Sequence, residues 1–149
     1  MFDAEQVNAL HVGTFAGELG LRVITATRDE VVAELVVQAK HRQPHGIVHG
    51  GVYATIIETL ASVGAAIDAA RSGKSVVGLE NHTSFVRAAR AGTLRAVATP
   101  ITRGRRSQVW EVVVRNDEGS IAAKGSVRLL VLDMDANVGG SPLGGPPEG

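Results

Sequence analysis

A chain of 149 residues, 44% apolar and 20% charged, reads as one soluble globular domain with enough apolar side chains for a core. Fifteen basic residues balance fifteen acidic ones, so no net field draws the chain to nucleic acid or to an anionic membrane. With no cysteine, a disulfide framework, thiol catalysis and thiolate metal sites are excluded; with no leader-like N-terminus and no apolar run of about 18 residues, the expected location is the cytoplasm.

In chain order, Asp3 caps a short helix to about His11, with Val7 and Leu10 at helical spacing, and Phe15 and Leu19 mark a further turn. Leu21, Val23 and Thr25 then alternate as a strand, and after the charged turn Arg28-Asp29-Glu30 a second strand, Val31 to Val37, closes a hairpin. A helix is predicted from about Gly50 to Ala70, on the stripe Val52, Ile56, Leu60, Val63 and Ile67. Its only charges are Glu58 and Asp68, so it is expected to be buried on most sides, and Gly73 is expected to close it.

Four more strands follow: Val76 to Val86, Thr93 to Thr102, Gln108 to Arg115 and Ile121 to Leu132, the last two joined by the turn Asn116 to Gly119. One long helix wrapped by a five- to six-stranded antiparallel sheet makes an α+β fold in a single domain over residues 1–136. The Gly/Pro-rich segment 137–149 cannot pack a core and reads as a disordered tail.

Several signals have ordinary readings. Gly73-Lys74-Ser75 imitates the end of a phosphate-binding loop, but Asp68 stands where that motif needs glycine. His41, His45 and His49 recur every four residues, yet Pro44 and Gly46 break the helix that would align them, so no metal site is assigned. Arg87, Arg90, Arg95, Arg103, Arg105 and Arg106 fit a solvated sheet surface as well as a functional site.

Glu58 has no such inexpensive reading. A carboxylate placed among Ala54, Ile56, Ile57, Leu60 and Ala61 costs several kcal/mol to bury unless it is paired. Pairing with a strand arginine is the structural reading. The catalytic reading has support nearby: Ser62 lies one turn on, able to hold a water beside the carboxylate. His49-Gly50-Gly51 sits where the helix begins, and backbone N–H groups there can receive an oxyanion. Gly50 and Glu58 are about 12 Å apart along a straight helix, too far to serve one reacting carbon. We therefore expect a homodimer in which Gly50 of one subunit faces Glu58 of the other.

The series Gln43, His49-Gly50-Gly51, Glu58 and Ser62, with VVGLENHTSFVRAARAG and GRRSQVWEVVVRNDEG, resembles the hot-dog-fold acyl-CoA thioesterases. The branch is that of the phenylacetate-pathway, Arthrobacter-type 4-hydroxybenzoyl-CoA, enterobactin-associated and 1,4-dihydroxy-2-naphthoyl-CoA enzymes. The resemblance covers roughly residues 15–132. It implies that Glu58 attacks the thioester carbonyl or activates water, that the Gly50 N–H is the oxyanion donor and that Gln43 orients the carbonyl. It further implies that His49 assists the departing thiolate and that Ser62 positions water. Dimers and tetramers built from two dimers are usual in such a fold, and no cofactor beyond the coenzyme A of the substrate is implied.

Arg87, Arg105, Arg106 and Ser107 are the preferred contacts for the coenzyme's phosphates. Phe85 and Val86 stand where the enterobactin-associated branch carries polar, histidine-bearing residues, which tilts the pocket toward apolar acyl groups. Aromatic and short- or medium-chain acyl-CoA are the expected substrates. Two alternatives stay open: an acyl-CoA-binding protein that does not hydrolyse, and a hot-dog hydratase or dehydratase.

Overall fold

The computed structural model of the chain describes residues 3–143. Helix α1 (Ala4–His11) opens on a reciprocal cap: the Asp3 carboxylate accepts the Gln6 N–H at 2.9 Å, and the Gln6 side chain accepts the Asp3 N–H at 3.2 Å. Helix α2 (Phe15–Leu19) is capped by Thr14 and closed by Gly20 at φ 80. Strands β1 (Arg22–Ala26) and β2 (Val31–Val36) form the hairpin that the alternation predicts. A 3-10 turn (Ala39–His41), which the pattern does not announce, leads toward helix α3 (Gly50–Ala70). Its buried His41 accepts the Gln38 N–H at Nδ1, 2.9 Å, and meets the Leu19 carbonyl at Nε2, 2.8 Å, so this imidazole is a structural tie rather than a ligand.

Strands β3 (Lys74–Phe85), β4 (Thr93–Arg103), β5 (Ser107–Arg115) and β6 (Ile121–Asp133) complete a six-stranded sheet. Its order is β1-β2-β4-β5-β6-β3, antiparallel throughout, as in the expected α+β architecture. β3 begins two residues earlier than the alternation suggests and runs along one edge, with no strand beyond it among the described residues.

Helix α3 lies on one face of this sheet, where Ile56, Ile57, Leu60, Ala61 and Ala65 are fully buried against Leu94, Ala98, Val112 and Leu129. Trp110 packs into the helix at Gly64, where an added Cβ would sit 2.4 Å from the indole ring. A mid-helix glycine costs about 1 kcal/mol against alanine; burying the tryptophan ring offsets that. By length and a mean hydropathy of 1.4, α3 is apolar enough to cross a membrane, but half of that window is buried inside the domain.

The end of α3 is fastened by polar contacts. Asp68 accepts from Gln108 Nε2 at 3.1 Å, pairs with Arg28 at 3.2 Å and with Arg103 at 3.6 Å, while Gln108 Oε1 accepts the Trp110 N–H at 2.9 Å. Gly73 at φ 66 closes the turn by donating to Ala70.

Two expectations need correction. The helix is not buried on most sides: Gly51, Glu58, Ala66 and Ala70 are exposed, with Thr55, Thr59, Ser62 and Val63 half-buried between them. The sheet covers a single side, and the small side chains opposite leave an open groove. The segment that reads as a tail also begins as a hairpin, β7 (Asn137–Val138) and β8 (Ser141–Pro142). Gly139 and Gly140 supply the two positive φ values, 64 and 93, that a two-residue turn requires. The rest of that segment, residues 144–149, lies outside the described residues.

Candidate active site

The loop before α3 sets its first turn. Val48 donates to the Ala89 carbonyl and His49 to the His41 carbonyl, both at 2.8 Å, which fixes where the helix starts. His49 is the N-cap: its Nδ1 accepts the Gly51 N–H at 2.8 Å. That bond places the ring proton of a neutral imidazole on Nε2, facing away from the helix. It also takes Gly51 out of the set of free donors and leaves the Gly50 N–H as the donor at the helix mouth.

Gly50 is a glycine for a contact reason. An added Cβ would lie 2.5 Å from the Phe85 ring, which rests directly on the Gly50 backbone. Gly50, Gln43, Tyr53, Phe85 and Arg87 border one cleft of about 310 Å³. Gln43 Oε1 accepts the His45 N–H within its own loop, so the amide NH₂ is its remaining donor.

Glu58 and Ser62, four residues apart, border a different and larger cavity of about 670 Å³. His11 and Phe15, at the corner of α1 and α2, form its far wall. The expectation of a desolvated acid is corrected here: Glu58 is exposed in the single chain, because its helix face turns away from the sheet. It takes part in none of the ion pairs among the described residues. Its carboxylate lies beside edge strand β3, where an added Cβ at Gly78 would be 3.8 Å from Oε1.

The predicted site residues therefore fall into two groups. Gln43, His49, Gly50 and Arg87 gather at the start of α3, and Glu58 with Ser62 two turns on; the two cavities share no lining residue. Arg105, Arg106 and Ser107 sit in and after the β4–β5 turn, at the Asp68 end of the helix, so one chain does not bring them near Arg87. Arg103 is committed to Asp29 at 2.8 Å and to the Arg28 carbonyl at 2.8 Å, and Arg90 donates to the His45 carbonyl at 2.9 Å. Both have structural partners where the sequence admits phosphate contacts.

Two polar residues of these cavities escape a reading of the sequence. His11 lines the Glu58 cavity, its Nδ1 is buried without a partner, and burial pushes its pKa below the usual histidine value. Tyr53 lines the Gly50 cleft, and burial pushes its phenol pKa up. Its position three after Gly50, on the same helix face, is the signal that could have found it; His11 has no comparable signal.

Comparison with known proteins gives the family and the fold. Residues 45–123 match the Thioesterase superfamily. The protein Rv1847 of Mycobacterium tuberculosis is 41% identical over 121 residues, covering 80% of this chain and 86% of its own. The 1,4-dihydroxy-2-naphthoyl-CoA hydrolase of Escherichia coli is 30% identical over 128 residues, 86% of this chain and 93% of its own. The solved thioesterase HI1161 of Haemophilus influenzae superposes with a TM-score of 0.84 at 32% identity, covering 89% of this chain and 92% of that one. A long helix against a six-stranded antiparallel sheet, with an acid and a glycine-opened helix mouth on its open side, thus belongs to a member of the thioesterase superfamily with the hot-dog fold, a thioester hydrolase.

Proposed function

We propose that the substrate is an acyl-CoA and that Glu58 drives its hydrolysis. The observation that carries this reading is the division of the site: a carboxylate with Ser62 borders one cavity, and an N–H donor with Gln43 and Arg87 borders another. The Glu58 carboxylate delivers the oxygen of water to the thioester carbon, as general base on a water held by Ser62 or by direct attack through an acyl anhydride. The carbonyl oxygen takes up negative charge at the Gly50 N–H, aided by the Gln43 amide. The C–S bond then breaks, and the thiolate leaves beside the Nε2–H of His49, giving the acid and free CoA. The acyl group lodges in the Glu58 cavity against Phe15, Ala54, Val63 and Ala66, whose apolar surface dominates the wall and suits apolar acyl groups.

The working unit is a dimer built on the β3 edge. A twelve-residue edge strand with Leu79 exposed is a template for a second copy. Antiparallel pairing about an axis near Asn81–His82 sets Phe85, over Gly50, opposite Gly78, beside Glu58. The same pairing carries the partner subunit's Arg105 and the partner subunit's Arg106 toward Arg87, joining the two basic groups that one chain separates.

Glu58→Gln is expected to lower kcat on an acyl-CoA about 10³-fold while sedimentation still reports the dimer. Turnover within tenfold of the parent sinks the assignment. Single-turnover hydrolysis in heavy-oxygen water, with label appearing in Glu58, identifies direct attack.

A further inference from the structure

Three buried side-chain polar atoms among the described residues have no hydrogen-bond partner: His11 Nδ1, Arg28 Nε and Tyr53 Oη. Arg28 Nε faces the Asp68 carboxylate at 3.2 Å, so charge attraction accounts for it. Tyr53 has no such account. The residue is 3% exposed, and a phenylalanine would fill the same space without sequestering a hydroxyl.

Its surroundings point to a ligand. Tyr53 stands one turn after Gly50, and a helical side chain leans over the turn N-terminal to its own Cα, which carries the ring toward the helix mouth. The ring lies 6.2 Å from the Phe85 ring, centroid to centroid and tilted by 36°. Phe85 in turn rests on the Gly50 backbone. Both rings border the cleft that also holds Gln43 and Arg87. Tyr53 is locked in the core, whereas Phe85, 61% exposed in the single chain, is the less tightly packed wall of this cleft. The polar groups nearest the helix mouth, the Gly50 N–H and the Gln43 amide, are donors to an oxygen acceptor.

We propose that Tyr53 is a substrate-binding residue, whose hydroxyl donates a hydrogen bond to an uncharged carbonyl oxygen of the thioester arm when that arm displaces Phe85 from the cleft. The identity of the arm rests on the acyl-CoA reading. Because burial pushes the phenol pKa up, the group stays a neutral donor across the ordinary pH range. A neutral donor suits a carbonyl, while exposed Arg87 at the rim suits an anionic group.

Tyr53→Phe removes one oxygen and keeps the ring. The melting temperature is expected to stay equal or rise, since the hydroxyl has no partner within the fold. In the same variant kcat/KM for an acyl-CoA falls about tenfold, and the Kd of a CoA thioether bearing a ketone in place of the thioester rises about tenfold. Values within twofold of the parent in both assays overturn the proposal, and so does a lowered melting temperature, which reveals a structural role. If the parent protein hydrolyses no acyl-CoA but binds the ketone analogue, the functional reading fails and the binding comparison still decides Tyr53. If the parent hydrolyses and the variant matches it, only the role of Tyr53 fails. A parent that neither hydrolyses nor binds the analogue overturns both.

Discussion

The two ends of α3 are built to opposite rules. At the Asp68 end polar groups are matched: Arg28, Arg103 and Gln108 converge on one carboxylate, and Gln108 also takes the N–H of fully buried Trp110. At the Gly50 end they are left open: a backbone N–H at the helix mouth, a free amide on Gln43 and a buried tyrosine hydroxyl without a partner. Satisfied polar groups rigidify a fold, and unsatisfied ones are where a ligand completes the bonding. One end of the helix therefore carries stability, and the other is where the proposed substrate would complete the bonding.

A pair of glycines on this helix breaks or sharpens that contrast most strongly. An added Cβ would meet an aromatic ring at 2.5 Å at Gly50 and at 2.4 Å at Gly64, yet Phe85 is 61% exposed while Trp110 is fully buried. Phe85 can yield; Trp110 cannot. Gly64→Ala is expected to lower unfolding free energy by about 2 kcal/mol in urea titration, overpacking outweighing the gain in helix propensity, with kcat/KM of the folded protein unchanged. Gly50→Ala is expected to change stability by less than about 1 kcal/mol and to lower kcat/KM about 10²-fold, because the new methyl group crowds the approach of a carbonyl to the N–H. Equal effects of both substitutions on stability would erase the distinction between the two ends.

Next in size is Asp68→Ala. Only 17% of its side chain is exposed, and its loss leaves Gln108 Nε2 without its acceptor and takes from Arg28 its nearer carboxylate, while Arg28 at 3.7 Å and Arg103 at 2.8 Å keep Asp29. We expect a loss of about 1.5 kcal/mol in stability, with kcat/KM within twofold of the parent. A drop in activity without a drop in stability would place catalytic weight at the wrong end of the helix.

Much of this contrast is readable from the chain itself. The apolar spacing of Val52, Ile56, Leu60 and Ile67 marks α3 over its observed bounds, and the Gln43-to-Ser62 series points to the thioesterase superfamily, which the fold and the comparisons bear out. Spacing shows which residues share a helix face, but not which face the sheet covers. Glu58 therefore reads as buried, although the sheet packs on the side of Ile57 and Ala61 and leaves the acid open. The same limit hides His11 and Tyr53, whose significance comes from other elements folded against them, α3 across the cavity from His11 and Phe85 of β3 beside Tyr53. It also hides the fate of Arg103, whose partner Asp68 is 35 positions away on another element. Glycine pairs speak for turns as readily as for disorder, which is why the hairpin at Gly139-Gly140 sits inside a segment that reads as tail.

The smallest expected effect concerns the wall of the Glu58 cavity. Burial holds the pKa of His11 below its unfolded value of 6.5, although the Glu58 carboxylate on the opposite wall favours the imidazolium. Its Nδ1 has no acceptor within reach, so a second ring proton would be a buried donor without a partner. Below pH 6.5 the unfolded chain therefore binds more protons at this residue than the folded one. Its contribution to stability is present above that pH and is lost as pH falls toward the folded pKa. His11→Leu keeps an apolar wall and removes the titration, so the fall in urea-unfolding free energy between pH 7.5 and pH 5.5 is expected to be smaller in the variant than in the parent. Identical falls in the two proteins would show that His11 titrates as freely in the folded chain as in the unfolded one, and that this wall of the cavity is wet. That result would leave the Tyr53 hydroxyl, at the other cavity, as the one buried side-chain polar atom without a partner lining the two cavities among the described residues.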